Sequence, residues 1–252
     1  MLDRDCVIRM TNVSKLFPSG ASRHSLFRVT MGRVSRRWAP QMLAALHSID
    51  LQVNRGDRIA LIGNNGSGKS TLLRIAAGLH VPTSGTVEIH GERTLLAGLG
   101  VGMVDELTVE ANIFLYGAMH GLCRPALRES MAEILEWADL TDFRLAPLKS
   151  LSTGMRSRLA FSVMRHIVTD IYLLDEALTA GDQSFREKCD LFFRGHAGQG
   201  STMLIATHDF RFVERHCTKA LWLDHGRQVS FGPTARVLES YGEHREGRRR
   251  AV

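Results

Sequence analysis

The chain has 252 residues, of which 44% are hydrophobic and 23% charged, enough for one large domain or two small ones with a sizeable core, and extensive disorder is not expected. The net charge of +6, from 32 Lys and Arg against 26 Asp and Glu, suits an anionic partner such as DNA, an anionic membrane surface or a phosphorylated substrate without choosing among them. No run of about 20 apolar residues is present and the first residues lack a basic-then-apolar leader, so neither a membrane span nor a secretory signal is expected and the chain is expected in the cytoplasm. Cys6, Cys123, Cys189 and Cys217 form no C-x-x-C pair, so neither a thiolate zinc site nor a disulfide framework is expected.

In chain order, Cys6 to Met10 predicts a short strand. Residues 19–42, rich in Ser, Arg and Gly, read as a loop or a short amphipathic helix; Arg23, Arg28, Arg33, Arg36 and Arg37 make this stretch basic. Ile49, Leu51 and Val53 alternate with polar residues as a strand does, and Gly56-Asp57 turns the chain into a core strand from Arg58 to Ile62. A glycine-rich turn and a helix from about Ser70 to Leu79 follow, then Val87 and Ile89 as a hairpin arm. From about Val104 to Ile167 the spacing turns helical, as at Leu127, Met131, Ile134 and Leu135 and again at Leu159, Val163 and Ile167. Strand patterns return at 171–174, 203–206 and 220–223, with a hairpin turn at Asp224-His225-Gly226-Arg227. A last helix, about Thr234 to Ser240, precedes a basic tail carrying Arg245, Arg248, Arg249 and Arg250. The pattern predicts an α/β fold with a helical insertion.

Gly63-Asn64-Asn65-Gly66-Ser67-Gly68-Lys69-Ser70 matches G-x-x-x-x-G-K-[ST] in full, between a predicted strand and a predicted helix. Glycines let backbone N–H groups close around phosphate oxygens, and the helix start adds its positive end. Lys69 is expected on the β- and γ-phosphates, Ser70 on Mg²⁺, and Thr71 beside them. Ile171 to Leu174 delivers Asp175 and Glu176 at a strand's C-terminal end, where open α/β sheets bind ligands. Asp175 is expected to hold Mg²⁺ and Glu176 to orient or deprotonate the attacking water. His208, after the strand at 203–206, is expected to contact the γ-phosphate or to position Glu176.

Leu151-Ser152-Thr153-Gly154-Met155 resembles the signature of ABC ATPases, usually LSGGQ, and stands in that family's order between the P-loop and Asp175-Glu176. The resemblance covers nearly the whole chain. It implies a P-loop core of ABC ATPase type (about 1–103 and 168–241) with an antiparallel β subdomain, a helical subdomain at about 104–167 and a tail at 242–252. It also implies that Ser152, Thr153 and Gly154 of one subunit close over the ATP held by another. Phe17 matches the aromatic that stacks on adenine, and Asp182, in Ala180-Gly181-Asp182, the loop that communicates between ATP sites. Gly154-Met155-Arg156-Ser157-Arg158-Leu159, the run from Asp175 to Asp182 followed by Phe185 and Lys188-Cys189, and Leu99-Gly100-Val101-Gly102 with Glu106-Leu107-Thr108 resemble exporters of polysaccharides such as O-antigen, capsule or teichoic acid. The arginine-rich stretch 22–40 is similar to an insertion in O-antigen forms. A family glutamine that touches Mg²⁺ or water is matched here by Val104 or its neighbourhood, with Asp105 as the nearest polar substitute. The chain ends soon after Tyr241, so a C-terminal sugar-binding domain is not expected.

The resemblance thus implies a homodimer binding two MgATP head to tail and docked, near residues 98–120, on two polysaccharide-permease-type transmembrane subunits at the cytoplasmic face of the membrane. Rival expectations are an ABC ATPase for another cargo and a soluble ABC ATPase acting on DNA or ribosomes. The scattered basic clusters argue against nucleic acid as partner.

Overall fold

The structure is a computed structural model that describes residues 5–18, 42–98, 100–175, 183–198 and 200–250. The expectations for residues 19–41, and those for Leu99, Glu176 and Asp182, fall outside the described residues.

Three apolar runs without polar alternation must be covered on both faces, which is the situation of inner parallel strands. They form β3 (Arg58–Ile62), β6 (Ile171–Asp175) and β7 (Thr202–Ala206), parallel neighbours in the spatial order β3-β7-β6. β5 (Arg93–Ala97) joins β6 in parallel as an edge strand, and β8 (Lys219–Asp224) flanks β3 on the other side. β9 (Arg227–Pro233) returns antiparallel from β8 through His225 and Gly226, whose φ values of 46° and 76° are those a two-residue hairpin turn needs.

β1 (Cys6–Pro18), β2 (Met42–Asn54) and β4 (Ser84–Ile89) form an antiparallel layer that meets the rest at His47 of β2 and Arg227 of β9. β1 runs beyond the expected Met10 because β2 and β4 pair with it along most of its length. Val87 and Ile89 are not an arm of a local hairpin: they pair with Met10 and Ile8 of β1, joining apolar positions of distant segments. Among the described residues the result is one nine-stranded sheet, β4-β1-β2-β9-β8-β3-β7-β6-β5. β5 was absent from the expectations, since its exposed Arg93 and short length gave no periodic signal.

The glycine-rich turn opens α1 (Lys69–Ala76), which packs under β6 and β7 through buried Leu72, Leu73 and Ile75. α2 (Val109–Met119), α3 (Arg124–Glu129), α4 (Met131–Trp137) and α5 (Thr153–Met164) make a helical layer around Ile113, Ile134 and Leu159. The helical spacing from Leu127 to Leu135 is divided at Ser130 between α3 and α4. α6 (Gln183–Gly198), α7 (Phe210–His216) and α8 (Thr234–Arg250) bring Phe193, Val213 and Val237 against the sheet's second face. α8 continues well past Ser240, so most of the expected basic tail is helix.

Candidate nucleotide-binding site

The sheet order decides which strand ends meet. β7 lies between β3 and β6, so the turn after β7 emerges between the glycine-rich loop and Asp175. The loop needs glycine where its neighbours come closest. A Cβ on Gly63 would stand 2.1 Å from the Leu223 carbonyl oxygen, and one on Gly68 would stand 2.7 Å from the Ala45 carbonyl oxygen, at φ values of 141° and 106° that L side chains avoid. The β8–β9 hairpin braces the loop: the Gly226 N–H donates to the Ser67 carbonyl at 3.0 Å, and the His47 N–H to the Gly226 carbonyl at 2.8 Å. The sequence reading assigned that hairpin only a turn; its contact with the loop is a long-range pairing with no local signal.

The buried Lys69 ammonium donates to the carbonyls of Gly63 at 2.9 Å and Asn64 at 3.1 Å, so its charge lies inside the curl of the loop. Gly68 caps α1 without a side-chain hydrogen bond, which leaves the first-turn N–H groups for an anion. Ser67 Oγ is buried with no hydrogen-bond partner among the described residues. Asn64, Asn65 and Gly66 form the exposed lip, and Thr71 lies half-buried in the first turn of α1. The Ser70 hydroxyl donates to Asp175 Oδ1 at 2.9 Å, which unites the loop with the carboxylate strand. A hydroxyl and a carboxylate side by side are hard oxygen donors of the kind Mg²⁺ takes, and together with the orphaned Ser67 hydroxyl and the glycine-walled curl they fit a magnesium-bound nucleotide phosphate.

His208 is exposed at the end of β7; Thr207, buried before it, accepts the Asp209 N–H at 3.1 Å, and Asp209 in turn caps α7. These two hydrogen bonds tie the turn that holds His208 to the end of β7 and the start of α7. Phe17 pairs with Leu43 across β1–β2 and is half-buried, its ring edge on His80 at 5.4 Å and the Lys15 ammonium 5.1 Å from its centre.

Ser152 accepts the Met155 N–H at 3.3 Å as the N-cap of α5, with Ser152 and Thr153 exposed and Gly154 half-exposed. These residues stand on the helical layer rather than among the contacts of their own chain's loop. Arg156 ties this helix start to Asp105, so Asp105 is engaged there. Val104, expected to mark the family glutamine's position, is held by Asn112: its N–H donates to Asn112 Oδ1 at 2.7 Å and its carbonyl accepts from Nδ2 at 2.9 Å. The segment beside the carboxylate strand is instead Ala97-Gly98, where Ala97 pairs with Asp175 and the Gly98 N–H donates to the Asp175 carbonyl at 3.3 Å. Asn112 went unnoticed in the sequence, because a lone Asn inside an apolar helical stretch reveals nothing about the loop it grips.

A phosphate-binding loop, its carboxylate strand and a serine-capped helix on a separate layer define a P-loop nucleotide-binding protein. The ABC transporter family matches residues 46–179. The teichoic acids export ATP-binding protein TagH of Levilactobacillus brevis is 36% identical over 246 residues, 96% of this chain and 66% of its own length. The O-antigen export system ATP-binding protein RfbB of Klebsiella pneumoniae is 38% identical over 197 residues, 78% of this chain and 80% of that protein. A dimeric ATP-binding cassette solved in a post-hydrolysis state with ADP and Pi shares the fold, with a TM-score of 0.71 at 22% identity over 90% of this chain and 98% of that one. The chain belongs to the ABC transporter family, with the α/β fold of its ATPase cassettes. It spans 66% of TagH from Levilactobacillus brevis, 36% of TagH from Bacillus anthracis and 50% of RfbB from Myxococcus xanthus.

Proposed function

We propose that the chain is the ATP-hydrolysing subunit of an exporter that moves a lipid-linked polysaccharide across the cytoplasmic membrane, working as a dimer on two separate permease subunits. The observation that carries the ATPase reading is the Ser70–Asp175 hydrogen bond beneath an uncapped α1, with Lys69 curled into the same loop. The cargo reading rests on relatives named for teichoic acid and O-antigen export, which align with most of this chain.

In this reading Lys69 leaves its carbonyl partners for the β- and γ-phosphates, and the loop N–H groups and first turn of α1 bind the same oxygens. Ser70 and Asp175 would hold Mg²⁺, which supplies charge neutralisation between the phosphates. Glu176 orients the attacking water, and His208, carried by the turn between the loop and Asp175, steadies the γ-phosphate side. Phe17 stacks on adenine. Ser152, Thr153 and Gly154 cover the partner's nucleotide with a hydroxyl and a helix N-terminus, and Asp182 links the two sites. The placement of signature residues on a layer apart from their own loop supports a site completed by a second copy.

Membrane attachment follows from the partner: no described helix is long and apolar enough to cross a membrane. The cleft between α1, β5 and α2, walled by exposed Leu79, Val101 and Met119, suits a helix from the permease, within the expected 98–120 region and beside it.

Glu176→Gln is expected to keep ATP binding, slow turnover by a factor on the order of 100 and accumulate ATP-dependent dimers visible by size-exclusion chromatography. Undiminished turnover in this variant removes Glu176 from its role. Co-purification with a polysaccharide permease and a bound lipid-linked glycan tests the cargo.

A further inference from the structure

The helix after the carboxylate strand carries Phe185 and Lys188, two residues that nucleotide chemistry does not use. Lys188 reaches off α6 into the helical layer. Its ammonium donates to the Trp137 carbonyl at 2.9 Å and to both oxygens of Asp139 at 3.1 and 3.2 Å, and lies 5.4 Å from the Trp137 ring centre. α5, the helix capped by Ser152, meets the same cluster. Arg158 donates to Asp139 at 3.3 Å, Arg165 lies 4.8 Å from the Trp137 ring, and Phe161 stacks on that ring at 5.5 Å with an interplanar angle of 18°. Phe185 of α6 packs edge-on against both Trp137 and Phe161. Two elements thus converge on the end of α4: the helix that begins at Ser152 and the helix that follows residues 176–182.

Asp139 occupies a position that favours another residue. It follows the last turn of α4 at φ 55°, its N–H donating to the Glu136 carbonyl at 3.0 Å and the next N–H, of Leu140, to the Leu135 carbonyl at 2.8 Å. That is a helix-ending motif in which glycine is the usual left-handed residue. An aspartate there gives up backbone ease for a carboxylate, and the carboxylate holds Lys188 and Arg158. One half-exposed ion pair would contribute little, but here the ion pairs, a carbonyl hydrogen bond and a stacked indole act on one joint.

We propose that Lys188, gripping Asp139 and Trp137, is a positioning residue that fixes the angle of the signature helix against the strand bearing Asp175, so that the two faces of each composite ATP site close in register. This rests on the reading that Ser152 to Gly154 of one copy cover the ATP of another.

The test uses the full chain, with and without Glu176→Gln. Lys188→Met and Asp139→Gly are expected to lower ATP turnover about five-fold and, in the Glu176→Gln background, to raise the ATP concentration for half-maximal dimer formation by about the same factor. Fluorescent ADP affinity of the single chain should stay unchanged, and Lys188→Arg should restore turnover. Asp139→Gly separates positioning from folding, because it gives the left-handed position its favoured residue and should not lower Tm. Wild-type turnover and dimerisation in both variants, or losses that only track a falling Tm, overturn the proposal. If Glu176→Gln with Lys188 intact fails to dimerise with ATP, the composite-site reading falls and this proposal with it. Normal dimerisation of that parent, unchanged by Lys188→Met, overturns the positioning role alone.

Discussion

At the scale of single residues, the site divides by how far apart its partners lie in sequence. Lys69 bonds the carbonyls of Gly63 and Asn64, within its own loop, so one contiguous motif was enough to find it. Lys69→Ala deletes the buried ammonium from the curl and should weaken ATP binding by a factor on the order of 10 to 100, the usual effect of losing hydrogen bonds to a charged ligand. An unchanged nucleotide titration would contradict the assignment of this loop. The Ser70–Asp175 contact was legible for a different reason: each residue ends a recognisable strand-and-turn pattern, and the family order said that the two patterns meet. Asn112 is the opposite case. It is fully buried and satisfies Val104, Leu107 and Thr108 together, yet nothing near it in sequence marks it.

At the scale of elements, Asn112 decides how the helical layer joins the core. Its side chain binds residues 104–108 to the first turn of α2: it accepts the Val104 N–H and adds a second donor to the carbonyls of Val104, Leu107 and Thr108, which also accept the N–H groups of Leu107, Leu148 and Asn112. Asn112→Ala should cost about 2 kcal/mol of stability, seen as a lowered midpoint in urea, because the Val104 N–H loses its acceptor and a fully buried side chain with its hydrogen bonds is removed. A midpoint equal to that of the parent would show that backbone groups or water replace it. Strand existence was readable where apolar residues ran continuously, as in β6 and β7. β5 was not, since an edge strand with an exposed arginine at its start carries neither alternation nor a full apolar run. β1 outran its prediction because two partners, not its own residues, determine where it stops.

For the whole molecule, stability depends on imidazoles that folding withdraws from water, His216 buried and His120 and His166 half-buried. Burial holds His120, His166 and His216 below the ordinary value of 6.5, with Asp190 partly opposing the effect at His216. The unfolded chain therefore binds more protons than the folded one just below that value. Folding stability should be fully present above about pH 6.5 and lost as the pH falls from there through the lower folded values. A series of thermal melts from about pH 7.5 to about pH 5.5 should show Tm falling, and His120→Gln should reduce the slope. A flat Tm over that range would mean that these histidines titrate alike in both states.

The α/β class was legible in the succession of strand and helix patterns along the chain, and the glycine-rich loop, the strand ending at Asp175 and the helix start at Ser152 were legible because each is a short contiguous pattern. Tertiary structure alone decided that β7 separates the loop strand from the carboxylate strand, that the β8–β9 hairpin braces the loop, that Asn112 pins the entry to α2 and that Lys188 crosses to Asp139. The physical reason is the same in each case: hydrogen bonds and close packing between segments far apart in the chain depend on strand order and register, which local periodicity does not specify.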